Sequence, residues 1–405
     1  MRVALLSTLE PATDAAIPRG LLHVGGRAIV QHQLGAAIAS GCERVVCLTD
    51  GQPRDVLALQ RLATRSGLSF SVVGNGHDLA RLILPQDEVL ILADGLLAAP
   101  DKLAVLVDEG RGVLTQPAER GLAAGFERID AERAAAGVLL VPGALLSRLT
   151  ELPSDWSPGS ALLRLAAQAQ LPRRDLPAEL PDDTRWTMIR SEAEAQAFEP
   201  RWLRLHTAGA AVRGAGPWLA AELVQRLGPE LLHTRSRPRL IALLAAVLTL
   251  AGAGLGWAGA TAGGLILLGL AWLASDCADL LTRIDRHTIS RPRPRFPTDA
   301  VFAWALDGAF VLCCVARLRT TEDYPQALLP AAFAGLSLFG MLRLIPRIFA
   351  GRRWSPWFED RLVAALFLLV ATATHVFATA VMVMTLMLIA FAIAAVKPDE
   401  GQAKR

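Results

Sequence analysis

Cysteine is scarce in this chain: five among 405 residues, at positions 42, 47, 277, 313 and 314. None has zinc or redox-motif spacing, which removes thiol chemistry as a theme and suits a reduced cytosol. Met1-Arg2-Val3-Ala4-Leu5-Leu6 lacks the long apolar core of a signal peptide and reads as a first strand. Internal repeats are absent, and so is low complexity beyond an Ala/Leu bias and the run Arg291-Pro292-Arg293-Pro294-Arg295. Glycine is missing from the loop Ser7-Thr8-Leu9-Glu10-Pro11-Ala12-Thr13-Asp14, so backbone amides there cannot closely approach a phosphate.

The net charge of +3 hides a split. Residues 1–200 hold 19 Lys+Arg against 25 Asp+Glu, and residues 201–405 hold 22 against 13. An acidic soluble part therefore precedes a basic part whose partners should be anionic: phospholipid headgroups, phosphates or nucleotides. Nucleic acid is not an expected partner, because the basic residues of the second half are confined to loops beside apolar segments.

Six such segments occur, at 239–259, 261–280, 299–318, 326–346, 361–377 and 378–396, each near the ~20 residues that cross a bilayer core. With a cytoplasmic N-terminus, sixteen basic residues fall on inner loops and flanks, and the outer loops hold only Arg317 and Arg319. Positive charge on the inner side predicts a multi-pass protein of a bacterial-type inner membrane with both termini cytoplasmic. The expected domains are 1–195 soluble, 196–237 juxtamembrane amphipathic helices carrying Trp202, Leu203, Leu205 and Trp218, 238–396 membrane-spanning, and 397–405 tail. Trp354 and Trp357 beside Arg352 and Arg353 read as an interfacial anchor. Apart from His375, the interiors of segments five and six carry no ionisable residue of the kind a transport pathway needs.

In the first half, the apolar runs Val3–Ser7, Arg44–Thr49, Ser69–Val73 and Val89–Ala93 alternate with helical stretches at 29–40, 53–66 and 77–83. This is the rhythm of a parallel sheet covered on both faces, with ligands expected beyond the carboxyl ends of its strands. Asp94 ends such a strand, and its carboxylate either holds a divalent cation or caps a turn.

Residues 1–190 resemble the nucleotidyltransferase superfamily. The matching stretches are Leu5-Leu6, the segment from Ile17-Pro18-Arg19-Gly20 to Val24-Gly25-Gly26-Arg27-Ala28-Ile29, Leu92-Ala93-Asp94-Gly95, and Ala136-Gly137-Val138-Leu139-Leu140-Val141. The resemblance implies an α/β, Rossmann-like domain with Arg19 on a phosphate and Asp94 on a metal ion. The glycine-free loop departs from that pattern, since Pro11 has no N–H and Glu10 and Asp14 repel phosphate. A second metal carboxylate is represented only by Asp182 or Asp183.

In the second half, Asp276 and Asp279 share a helical face with Arg283 and Arg286. A divalent cation would relieve the repulsion between the two carboxylates; alternatively they are solvated and balanced by the arginines. Residues 235–396 resemble the CDP-alcohol phosphotransferase family, six-helix enzymes that displace CMP from a CDP-linked donor. The resemblance implies an all-α six-helix transmembrane domain, with Mg²⁺ or Mn²⁺ on Asp276, Asp279 and Asp307. It further implies phosphate on Arg283 or Arg286, and dimerisation through membrane helices. The family's base position falls on Val311, its glycine on Leu280, and its Ala-Arg pair on Arg283-Ile284. His287 reads as a loop histidine near the carboxylates, and His375 as a helix-packing donor.

The fusion resembles bifunctional enzymes that make a CDP-polyol in one half and consume it in the other. The expected function is transfer of a phospho-alcohol or phosphatidyl group from a CDP-linked lipid or CDP-polyol, in synthesis of polar-lipid headgroups. The competing reading is a catalytically silent homologue that binds nucleotide or lipid and scaffolds lipid synthesis.

Overall fold

The structure is a computed structural model and describes residues 1–51, 54–151, 158–182, 184–209, 214–232, 237–289, 298–320, 328–349, 351–352 and 354–395. Asp183 and the Arg291–Arg295 run lie outside the described residues, as does the side chain of His287. The chain forms two compact units, Met1–Leu205 with Arg283–Arg293, and His206–Thr282 with Pro294–Arg405.

The first unit opens with β1 (Arg2–Thr8), the small hairpin β2 (His23–Val24) and β3 (Arg27–Ala28), and α1 (Ile29–Ala39). There follow β4 (Arg44–Thr49), α2 (Arg54–Arg65), β5 (Ser69–Val73), α3 (Gly76–Leu82), β6 (Glu88–Leu92), β7 (Leu96–Ala98) and α4 (Pro100–Asp108). The unit is completed by β8 (Gly112–Pro117), α5 (Ala118–Ala123), β9 (Arg133–Pro142), α6 (Pro158–Gln168), β10 (Arg173–Asp175), α7 (Glu179–Asp182), β11 (Trp186–Met188) and α8 (Glu192–Thr207).

Seven strands form one sheet in the order β10-β8-β9-β6-β1-β4-β5, parallel except for β9. The strands are apolar on both faces because both faces are covered. Ala4, Leu6, Val45, Cys47, Leu90 and Leu92 face one buried cluster with Val30, Leu34 and Leu103. Their neighbours Val3, Leu5, Val46, Leu48, Val89 and Ile91 face another with Leu79, Leu146 and Leu162. The alternation is that of a strand, whose successive side chains point to opposite faces. From β1 the chain moves outward through β4 and β5, then returns to lay β6 on the other side of β1. The β1/β6 boundary is therefore a topological switch point, where an open α/β sheet has its crevice.

The first unit extends past residue 195, through most of α8. Trp202 and Leu203 are buried in it (5% and 0% exposed), which corrects the expectation that they lie on a membrane leaflet.

The second unit contains α9 (Ala215–Leu232), α10 (Arg237–Trp257), α11 (Thr261–Ile289, whose end belongs to the first unit), α12 (Thr298–Leu318), α13 (Leu328–Ile348), α14 (Arg361–Ala373) and α15 (Phe377–Ala395). Among the described residues five helices, α10 to α13 and α15, are long and apolar enough to cross a membrane. The fifth sequence segment becomes the 13-residue α14, only about 20 Å long at 1.5 Å per residue. It ends because the Thr374 hydroxyl bonds back to the Val370 carbonyl and His375 turns left-handed at φ 58°. His375 thus stands at a helix end rather than inside a span. Leu268, Phe310, Cys314, Leu338, Leu368 and Val381 are among the residues that pack the core of this unit.

Candidate functional site

In the first unit the switch point brings Asp94 and Arg19 together around the loop that follows β1. Asp94 comes two residues after the end of β6 and is 4% exposed. Its Oδ2 accepts the backbone N–H groups of Leu9 (2.9 Å) and Glu10 (2.8 Å) and the Ser7 hydroxyl (3.1 Å). Oδ1 is buried with no hydrogen-bond partner among the described residues. Burial pushes the Asp94 carboxyl up to about 6, against the pull of those donors, and the charge of Glu10 adds to the rise.

Arg19 donates from Nη1 to Glu10 Oε2 at 2.9 Å and from Nε to the Pro11 carbonyl at 3.1 Å. Both side chains expected to meet a metal–nucleotide thus hold the loop itself. Asp182 is not part of this group; its carboxylate is exposed and pairs with Arg120.

In the second unit Asp276 lies on α11 one turn after Trp272. Asp276 Oδ2 and Trp272 Nε1 are buried and have no hydrogen-bond partner among the described residues. Sequence reasoning missed a third group, Asp360. It is 3% exposed, accepts the Leu362 N–H at 3.0 Å as the N-cap of α14, and accepts the Gly216 N–H of α9 at 2.7 Å.

These groups converge on Gly216. A Cβ there would meet Asp360 Oδ1 at 2.8 Å, Asp276 Oδ2 at 2.9 Å and Trp272 Nε1 at 3.1 Å, so α9 can approach only with glycine at this position. The signal for Asp360 was available in the sequence, as an N-cap residue directly before the apolar run from Arg361. Its proximity to Asp276 was not.

Asp307 has a different environment from the one expected of a metal ligand. It is 5% exposed and accepts Arg361 Nε at 2.7 Å and Nη2 at 3.2 Å, while Arg343 Nη2 lies 2.8 Å from Oδ2. Arg361 is itself 3% exposed and also donates to the Phe358 carbonyl, and the Arg343 guanidinium lies 3.8 Å from the centroid of the Trp304 ring. Both carboxylate oxygens therefore face guanidinium donors, a donor set that opposes a cation.

Val311 packs apolar surface beside Gly335. Arg283 and Arg286 belong to the first compact unit, whereas Asp276 and Asp279 belong to the second. Among the described residues no group of three or more His, Cys, Asp or Glu side chains is arranged to hold a metal ion. Asp276 and Asp279 fit the smaller protein contribution with which Mg²⁺ sits on a phosphate, one or two carboxylates and solvent.

No family model and no curated protein matches the sequence. Solved structures similar to its N-terminal half include a UDP-glucose pyrophosphorylase from Acinetobacter baumanii, 10% identical with a TM-score of 0.37, covering 51% of this chain and 94% of that one. Another is a UDP-glucose pyrophosphorylase complexed with UDP-glucose, 13% identical with a TM-score of 0.35, covering 49% of this chain and 98% of that one.

Proposed function

We propose that the chain is a membrane transferase of the CDP-alcohol phosphotransferase class, acting in the inner membrane with its Asp276 face toward the cytoplasm. The observation that carries this reading is the unpartnered Asp276 Oδ2, buried beside Trp272 Nε1 and Asp360. A carboxylate in that setting is costly without a cation, and no basic side chain pairs with it among the described residues. Asp276 and Asp279 would hold Mg²⁺ or Mn²⁺, which neutralises charge on a diphosphate leaving group. Trp272 Nε1 would donate a hydrogen bond to a donor or acceptor oxygen.

In the transfer, the alcohol oxygen forms a bond to the donor's phosphorus and the bond to CMP breaks. The alcohol proton has no acceptor at Val311, so it passes to Asp360 or to water. The donor is a CDP-linked lipid or CDP-polyol, the surroundings are anionic lipid, and two copies associate through membrane helices.

A second reading, a silent homologue that scaffolds lipid synthesis, is favoured by the arginine-bound state of Asp307. One experiment separates the two: thermal stabilisation of the purified protein by CDP-diacylglycerol or CDP-inositol, with and without Mg²⁺ or Mn²⁺. Transferase chemistry requires stabilisation that depends on metal and disappears in Asp276→Ala. Absence of any metal-dependent response leaves the scaffold.

A further inference from the structure

The front of the first unit has a second set of contacts that the transferase reading does not use. Each feature that separates loop 7–14 from a phosphate cradle has a partner within the unit. Glu10 holds Arg19, and its backbone carbonyl accepts the Arg19 N–H at 2.8 Å. Asp14 accepts the backbone N–H groups of Glu192 (2.8 Å) and Ala193 (3.0 Å), capping the start of α8. The Thr13 N–H donates to the Arg190 carbonyl at 3.0 Å, and Arg190 is in turn held by Glu194 of α8.

Farther along α8, Glu199 is 5% exposed, and its Oε1 accepts the Gly25 N–H at 2.8 Å. Gly25 and Gly26 are both left-handed, at φ 60° and 71°, a turn whose amide is suited to an anion. The anion it holds is a carboxylate of the same chain. Trp202 then covers the turn. A Cβ on Gly25 would run into its ring, and the ring meets His32 edge-on at a centroid distance of 5.6 Å.

We propose that the crevice at the β1/β6 switch point is a socket for α8 rather than a nucleotide site, with Asp14 gripping the start of the helix and Glu199 and Trp202 its middle. The two grips are about seven residues apart, roughly 10 Å along a helix, so they fix both its position and its direction. Free nucleoside triphosphate finds a glycine-free loop, an amide already bound to Glu199, and an arginine already bound to Glu10. The first unit thus anchors the segment that leads into the apolar helices, and the two halves of the fusion do not share a nucleotide intermediate. This inference stands independently of transferase activity in the second unit.

The test uses the full-length chain in detergent or nanodiscs and combines nucleotide binding with hydrogen exchange. CTP, UTP, ATP and GTP at millimolar concentration with Mg²⁺ should give no saturable binding that survives Asp276→Ala, the substitution that removes the proposed donor site of the second unit. The double variant Glu199→Ala/Trp202→Ala should accelerate exchange roughly tenfold or more in 192–207, 9–14 and 23–28 together, the size expected for loss of a hydrogen bond to a charged group. Glu199→Gln, which keeps the acceptor oxygen but loses its charge, should give a smaller acceleration, about fivefold, on the same principle.

Should the double variant not fold, Asp14→Ala alone should loosen 192–196 and 9–14 together. Metal-dependent triphosphate binding that persists in Asp276→Ala, and so lies outside the proposed donor site of the second unit, would overturn the proposal. So would variants that loosen α8 while leaving 9–14 and 23–28 unchanged. Because the transferase test reads CDP compounds against Asp276→Ala, failure of one reading is distinguishable from failure of the other.

Discussion

Replacement of Asp307 separates a metal ligand from a structural counter-ion. In the structure Asp307 neutralises two guanidiniums at 2.7, 2.8 and 3.2 Å, and both Asp307 and Arg361 are almost fully buried. Asp307→Ala leaves Arg343 and Arg361 facing one another without a counter-charge. Removing one partner from a buried ionic group costs about 3–5 kcal/mol, because the remaining charge stays desolvated. At roughly 2–4 °C per kcal/mol for a domain of 150–250 residues, the unfolding midpoint should fall by about 6–20 °C.

Asp276→Ala removes a carboxylate without a basic partner among the described residues and should leave the midpoint unchanged or raise it. Both variants are compared with wild type by intrinsic-fluorescence melting in one detergent, without metal or nucleotide. A volume-matched apolar triple, Asp307→Leu with Arg343→Met and Arg361→Met, should recover most of the loss, since all three charges leave together. A midpoint for Asp307→Ala within about 2 °C of wild type, under a kcal/mol on the same scale, would refute the counter-ion assignment.

Three further outcomes follow from the same geometry. Asp94 has a folded pKa of about 6 against 3.8 for an ordinary aspartate, so the folded chain binds more protons between those values. The contribution of Asp94 to the stability of the first unit should be fully present below pH ~4 and lost, by up to about 3 kcal/mol, as pH rises through 6; denaturant titrations of Asp94→Asn against wild type, whose difference should carry this slope, check it. Gly216→Ala drives a methyl into Asp360, Asp276 and Trp272 and should cost about 1–3 kcal/mol, read as a lower melting midpoint; an unchanged midpoint would mean that α9 does not sit against these groups. Gly25→Ala combines a left-handed backbone with the ring of Trp202 and should cost at least ~1 kcal/mol and speed exchange in α8, whereas Gly67→Ala, left-handed but with open space around its Cβ position, should cost only the backbone strain.

Much of the architecture could be read from runs and periods. The expected strands at Val3–Ser7, Arg44–Thr49, Ser69–Val73 and Val89–Ala93 match β1, β4, β5 and β6 to within about a residue, because continuous apolar runs between turn residues have few other folds open to them. The antiparallel insertion of β9 between β6 and β8 was not legible, since a run such as Val138–Val141 is equally apolar in either direction. Nor was the shortness of α14, because its end depends on a hydroxyl back-bond and a left-handed histidine rather than on hydropathy.

The sequence by itself determined that this chain has an α/β half followed by apolar helices of membrane-crossing length. Both properties reside in local pattern: the spacing of apolar residues and the length of their runs. What each charged group faces was decided only by the tertiary structure. Asp94 meets Ser7 across 87 residues, Arg361 meets Asp307 across 54, and Asp360 meets Gly216 across 144. A carboxylate becomes a ligand, a cap or a counter-ion according to the donor that the fold brings to it, and at such separations local pattern carries no record of that donor.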